Sequence, residues 1–309
     1  MSTDLADPMA SVRAYIAAEK SSNTRRAYRS DWAHFTGWCA DVQADALPAA
    51  PATVARYLAS LADQALAPPT IERRAAAIRY AHKAAGHEPP TNTEAVKATM
   101  RGIRRTLRQA PVRKAPAVAA AIAAMLEQLA GDRLQVLRDR ALLLIAFAAA
   151  LRRSELVALH VADVERHENG VLLHIQASKT DQEGRGQHIP VPNGVRLKPV
   201  AALYAWLEAA CIAKGPLFRP IDRHGHVGAE ALTDRSVARV IKRAAKAAGL
   251  DEAIFSGHSP RAGFVTQALE DGVDALKIMG ITRHAKVDTL KIYDRRTRGF
   301  IKHAGEGFL

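Results

Sequence analysis

Four stretches in the first third of the chain repeat apolar residues at helical spacing. Tyr28, Trp32, Phe35 and Cys39 stand at offsets 0, 4, 7 and 11, with Ser22 or Asn23 placed to cap the helix that carries them. Pro51 opens a second helix whose inward stripe is Val54, Tyr57, Leu58 and Leu61. A third is predicted from Thr70 through Ile71 and Ile78 to about Gly86. A fourth sets Val96, Met100, Ile103 and Leu107 at the same 0, 4, 7 and 11. The pattern predicts an all-helical domain over residues 1–109. Residues 110–116, with Pro111 and Pro116, break the periodicity and read as a linker made basic by Arg113 and Lys114.

Beyond the linker the pattern changes. Ala117–Leu129 and Leu134–Ala149 are predicted helices, the second apolar nearly all round and therefore buried. Val161–Val164, Val171–Gln176 and Gln187–Val191 are predicted strands, and a charged hairpin over Lys179–Gly186 joins the last two. Leu217-Phe218 reads as a short buried strand or turn. Helices are expected over Leu197–Ala213, from a Thr233 cap to about Gly249, over His258–Glu270 and Val273–Met279, with a last one holding Tyr293. The fold class is therefore mainly α, with a mixed α/β domain over 117–309 built on a small antiparallel sheet.

Charge narrows the partners. Among 309 residues, 44 Lys and Arg against 31 Asp and Glu give a net +13, and the sequence pI is about 10.0. That points to a polyanion. A membrane surface is the rival, but the longest apolar run, Ala141–Leu151, falls short of the ~20 residues a spanning helix needs. Met1–Pro8 is polar and acidic, so no leader peptide is expected. Cys39 and Cys211 fall in different predicted domains and suggest no disulfide framework, which fits a reducing, cytoplasmic setting. No metal-ligand spacing and no Gly-rich phosphate loop occur, so neither metal nor nucleotide cofactor is expected. Between Thr70 and Arg108 nine Lys and Arg face three Glu. Arg73, Arg74, Arg101, Arg104, Arg105 and Arg108 are the candidate phosphate contacts.

The chemistry sits near the C-terminus. His258 and Arg261 are three apart and share a helix face, which points an imidazole and a guanidinium at one anion. His284 precedes Tyr293 by nine positions. Two histidines, an arginine and a tyrosine suit chemistry on a phosphodiester with tyrosine as nucleophile.

That order resembles the C-terminal signature of the tyrosine recombinase (phage integrase) family, where His-x-x-Arg is followed by His or Trp and then the nucleophilic Tyr. Ala150-Leu151-Arg152-Arg153-Ser154-Glu155 is similar to the family's earlier Gly-Leu-Arg-x-x-Glu segment, and Ser178-Lys179-Thr180 to its hairpin lysine. Thr24-Arg25-Arg26-Ala27-Tyr28 also resembles the first helix of the family's SAM-like core-binding domain. Three departures stand out. Ala150 replaces the usual Gly, Ser259-Pro260 fills the positions between His and Arg, and Thr282-Arg283 stands where Leu-Gly is usual before the second histidine.

The resemblance implies an N-terminal DNA-gripping domain over 1–109 and a catalytic domain over 117–309. It implies Arg152 and Arg261 as charge stabilisers and Lys179 as the acid that protonates the leaving oxygen. His258 and His284 would contact the scissile phosphate, Tyr293 would attack it, and Glu155 would orient Arg152 or His258. The implied activity is site-specific recombination through a 3′-phosphotyrosyl intermediate, with double-stranded DNA as partner. The implied assembly is a tetramer on paired sites, monomer or dimer when free, at the bacterial nucleoid. A type IB topoisomerase and a catalytically silent DNA-binding regulator are the alternatives. The target site, the direction of exchange and any accessory DNA-bending protein stay open.

Overall fold

The four predicted stripes converge on one another. In the computed structural model, which describes residues 19–107, 114–176, 186–284, 286–290 and 293, Phe35, Cys39, Val54, Tyr57, Leu58, Leu61, Ile71, Ile78, Val96, Met100 and Ile103 form a single buried cluster. The helices that carry them are α1 (Ser22–Asp41), α2 (Pro51–Asp63), α3 (Pro68–Ala84) and α4 (Glu94–Leu107). The cap of α1 is Ser21, one residue before the predicted position, with its Oγ accepting the Thr24 N–H at 3.2 Å. Pro68 at the first turn starts α3 two residues early.

Two polar groups inside this unit escape the apolar pattern. Asp31, 4% exposed, accepts two bonds from Arg73, at 2.8 and 3.0 Å. His82, fully buried, gives its Nδ1 hydrogen to the Ile78 carbonyl at 2.8 Å, and its Nε2 accepts the Ala49 N–H at 2.9 Å. The loop ahead of α2 is thereby tied to α3.

The chain divides into two compact units, Met1–Pro111 and Val112–Leu309. In the second, α5 (Ala119–Glu127), α6 (Leu134–Ala148) and α7 (Arg153–Ala158) lead into a three-stranded antiparallel sheet, β1 (Val164–His167), β2 (Gly170–Ile175) and β3 (Gln187–Pro192), in the order β1-β2-β3. The first strand begins at Val164, not at Val161. Asp163 is the reason: its carboxylate accepts the His160 N–H at 2.8 Å and the Gln176 amide at 2.6 Å, so Val161–Asp163 closes as a 3₁₀ turn. Leu217 and Phe218 are fully buried, and the Leu217 N–H bonds the Leu159 carbonyl at 2.8 Å.

Four helices follow, α8 (Pro199–Ala209), α9 (Asp234–Ala247), α10 (Ser259–Glu270) and α11 (Ala275–Thr282). Thr233 caps α9 as expected. The last helix starts at Ala275 because Asp274 caps it, accepting the N–H groups of Leu276 and Lys277 at 2.9 and 3.3 Å. Trp206 fills the core and donates its indole N–H to Leu217. The nearly all-apolar α6 is buried around its circumference, as its composition requires. Among the described residues no helix is long and apolar enough to cross a membrane. Lys179, Arg108 and the chain after Tyr293 lie outside the described residues.

Lys114 and Ala115 bond the carbonyls of Ala253 and Ile254, and the Ala117 N–H bonds Ser259 at 2.9 Å. This lays the start of the second unit against α10. A Cβ on Gly263 would sit 1.9 Å from the Ala117 carbonyl oxygen, a backbone atom that cannot swing aside. Gly263→Ala is therefore expected to destabilise the fold by about 2 kcal/mol or more. Gly102→Ala meets nothing within 4 Å inside α4 and is expected to be neutral or to stabilise by up to ~1 kcal/mol. Denaturant titration of both variants checks the contrast; equal midpoints would remove the close approach.

Candidate active site

The site begins where α6 stops. The N–H of Ala150 bonds Phe147 at 3.0 Å and that of Leu151 reaches Ala146 at 3.1 Å, a Schellman closure. Such a closure needs a left-handed residue, and Ala150 takes φ 46°. The chain then enters α7 through Arg152, whose backbone N–H donates to Glu155 Oε2 at 2.8 Å and whose guanidinium reaches Oε1 at 2.6 Å. Glu155 is 4% exposed. Its Oε2 also accepts Arg283 Nη2 at 2.6 Å. One carboxylate thus bridges two arginines, one three positions before it and the other 128 positions after it. Arg153, the neighbour of Arg152, runs across Gly257, where a Cβ would lie 1.9 Å from its Cδ.

Arg261, on α10, is 1% exposed. It donates Nη1 to the Ala150 carbonyl at 2.6 Å and Nη2 to the Thr282 carbonyl. Both oxygens belong to helix C-terminal turns, where carbonyls lack helical partners and the helix dipole is negative. A single guanidinium therefore joins the ends of α6 and α11. Burial and the nearby Arg152 charge lower its pKa to about 10.

His258 occupies the residue before α10, and its Nε2 lies 3.5 Å from the Tyr293 hydroxyl. His284 follows Arg283, which is left-handed at φ 58° and ends α11. The rings of His284 and Tyr293 are 6.1 Å apart. Burial, then the charges of Arg261 and Arg152, holds both histidines below the ordinary imidazole range, His284 at about 4. For Glu155, burial works upward, but the charge of Arg283 and the bonds from Arg152 leave it net below the usual carboxylate value.

The structure therefore brings together Arg152, Glu155, His258, Arg261, His284 and Tyr293. It adds two residues that the motif did not assign, Arg283 and Thr282. Their only signal in the sequence is the departure from Leu-Gly ahead of the second histidine.

The candidate phosphate contacts lie apart from this cluster in the chain and differ in their surroundings. Arg73 is anchored on Asp31, and Arg74 packs by His34 and Tyr57. Arg101 pairs with Glu94 and Arg104 with Glu72, the latter at 2.6 Å, all four well exposed. Arg101, Arg104, Arg79 and Lys97 rim a hollow of about 350 Å³ floored by Val96 and Met100. Arg105 follows on α4, and Arg108 lies outside the described residues.

A helical unit followed by a mixed unit, whose arginines, histidines and tyrosine converge from the starts of α7 and α10 and from the chain after α11, defines a class of DNA strand-transfer protein. Comparison with known proteins agrees. Residues 117–298 match the phage integrase family, and residues 13–88 match the phage integrase N-terminal SAM-like domain. The chain is 40% identical over 274 residues to an integrase/recombinase xerD homolog of Selenomonas ruminantium, covering 87% of this chain and 80% of that protein. It is 27% identical over 281 residues to the recombinase cre of Escherichia phage P1, covering 84% and 80%. A lambda integrase structure, a dimer bound to a COC′ core site, shares the fold with a TM-score of 0.61 at 17% identity, covering 93% of each chain. The chain belongs to the phage integrase family. Its activity is site-specific recombination, the cleavage and rejoining of DNA strands.

The lowered histidine pKa has a consequence for stability. A histidine titrating at about 4 in the folded chain, against 6.5 when free, binds its proton more tightly once unfolded. Its contribution is complete above 6.5 and is lost as pH falls toward 4. Glu155, also lowered, acts further down, below its unfolded value of 4.5. Melting temperature is expected to drop between pH 6.5 and 4, and His284→Gln to flatten part of that drop. An identical pH profile in the variant would show that His284 is not held neutral.

Proposed function

We propose that Tyr293 attacks the scissile phosphorus, forms a 3′-phosphotyrosyl bond and releases a 5′-hydroxyl. A 5′-hydroxyl from a partner strand then reverses the step and frees the tyrosine. The observation that carries this reading is the convergence of Arg152, Arg261, His258 and His284 around the Tyr293 hydroxyl, 3.5 Å from His258 Nε2.

The displacement passes through a pentacovalent state more negative than the diester, so fixed donors must already face the oxygens. Arg152 and Arg261 supply them. Arg261 uses two N–H groups on carbonyls and keeps others for oxygen, since a guanidinium has five. Glu155 orients Arg152. Lys179 is the acid for the leaving oxygen, and the histidines contact the phosphate or move the tyrosine proton. Residues 1–109 grip the duplex, 110–116 link, and 117–309 cut. The duplex carries specific recombination sites, exchange takes four protomers on paired sites, and the enzyme works in the cytoplasm at the nucleoid.

Tyr293→Phe is expected to bind duplex DNA as well as the parent yet leave no denaturant-resistant adduct on a nicked substrate. An adduct in that variant would move the nucleophile elsewhere. Joining of strands from two duplexes separates recombination from the relaxation of supercoils by a type IB topoisomerase.

Phosphate contact by α4 has its own test. Arg101 and Arg104 are held by exposed carboxylates, and such pairs contribute only about 0–1 kcal/mol. Phosphates can displace those partners at little cost. Replacing both arginines by Gln is expected to lower the salt slope of log K by about 2, near 0.9 for each contact. An unchanged slope would leave this face merely solvated.

A further inference from the structure

Thr282 is fully buried, between the last turn of α11 and the histidine two residues on. Its Oγ1 lies 2.8 Å from the Ile278 carbonyl oxygen and 2.9 Å from His284 Nδ1. A hydroxyl has one hydrogen, and a carbonyl oxygen can only accept. The hydrogen therefore lies on the line to Ile278, because without it two oxygens would face each other at 2.8 Å with nothing between. The bond to the imidazole must then run the other way, from Nδ1–H to Oγ1.

We propose that the Thr282 hydroxyl is a positioning group that fixes His284 as its Nδ1–H tautomer and leaves Nε2 as the accepting nitrogen in the resting site. The tautomer of a histidine is set by the bond its other nitrogen makes, and here Nδ1 donates to a hydroxyl whose own hydrogen is committed to the Ile278 carbonyl. The surroundings keep the ring neutral, so a tautomer is at stake and not an imidazolium. Arg261, Arg152 and Arg283 face it, with His258 also near and Tyr293 on its ring side.

The consequence concerns which step His284 can serve. Neutral and protonated at Nδ1, it cannot donate to a phosphate oxygen from Nε2. It can only accept there, from the Tyr293 hydroxyl or a bound water. It becomes a donor to phosphate once it has taken up a proton, with its Nδ1–H still on Thr282. Phosphate contact by His284 is thus coupled to proton uptake, unlike contact by the permanently charged arginines.

This rests on the reading of the site given above, and its test is independent of it. Proton–nitrogen correlation spectra of the isotopically labelled full chain near neutral pH distinguish the two tautomers, with His284→Gln identifying the signal. Wild type and Thr282→Ser are expected to show Nδ1–H. Thr282→Val, close to isosteric, is expected to lose that preference and to cleave DNA about tenfold more slowly at unchanged DNA affinity. Serine is expected to keep near-parental cleavage. Nε2–H in the wild type, or an unchanged tautomer in Thr282→Val, would overturn the assignment without any cleavage measurement. A chain that shows Nδ1–H but forms no phosphotyrosyl adduct would sink the reaction scheme and leave the tautomer assignment standing.

Discussion

Three guanidinium groups, those of Arg152, Arg261 and Arg283, crowd around one buried carboxylate, that of Glu155. Burying charge is costly unless each ion finds partners of good geometry. Glu155 meets that demand with three bonds, two to Arg152 and one to Arg283. Arg261 meets it with two helix-end carbonyls. The balance is still positive by two charges. Burial first, and that excess with it, lowers His258, His284 and Arg261 together, and the excess is what an incoming phosphodiester would neutralise. Removing Glu155 would strand the buried Arg283 and the half-buried Arg152, so the site's readiness for an anion and its stability hang on the same oxygen atoms.

The two left-handed residues explain how this cluster is reached. Ala150 and Arg283 stand where the pattern of the family the chain resembles has glycine, at φ 46° and 58°. A left-handed turn lets each helix stop abruptly, so that the Ala150 and Thr282 carbonyls both face Arg261 and the next residues enter the site. A side chain at such a position costs roughly 1–2 kcal/mol. At Ala150 the fully buried methyl offsets part of it. At Arg283 the guanidinium contact with Glu155 does, and this substitution for glycine supplies the site with a cation.

Legibility in the sequence followed from how local each determinant is. The stripes of α1 to α4 were plain because helical period and burial coincide. The order of Arg152, His258, Arg261, His284 and Tyr293 was plain because each of these candidate groups has a characteristic residue type. What depends on long-range partners was not. Asp139 holds Arg243, 104 positions away, and nothing near either residue announces it. The start of β1 slipped by three residues because Asp163 closes a turn with His160 and Gln176. Thr282 and Arg283 registered only as departures, since their importance lies in backbone angle and hydrogen count. Lys179 falls outside the described residues, and its role stays a proposal.

Charge alone also cannot tell which arginines are free to meet DNA. Arg73 and Arg104 look alike in sequence, each on a basic helix beside polar neighbours. Asp31, the partner of Arg73, is buried and would lose both of its close bonds if Arg73 turned to a phosphate, keeping Arg74 at 3.9 Å. Glu72, the partner of Arg104, is exposed and would be rehydrated at once. Two ion pairs of similar length, 2.8 and 2.6 Å, are thus a fixed strut in one place and a displaceable placeholder in the other. On the proposed function, phosphate contact should concentrate on α4, with Arg73 serving to hold α3 against α1 so that the basic face keeps its shape.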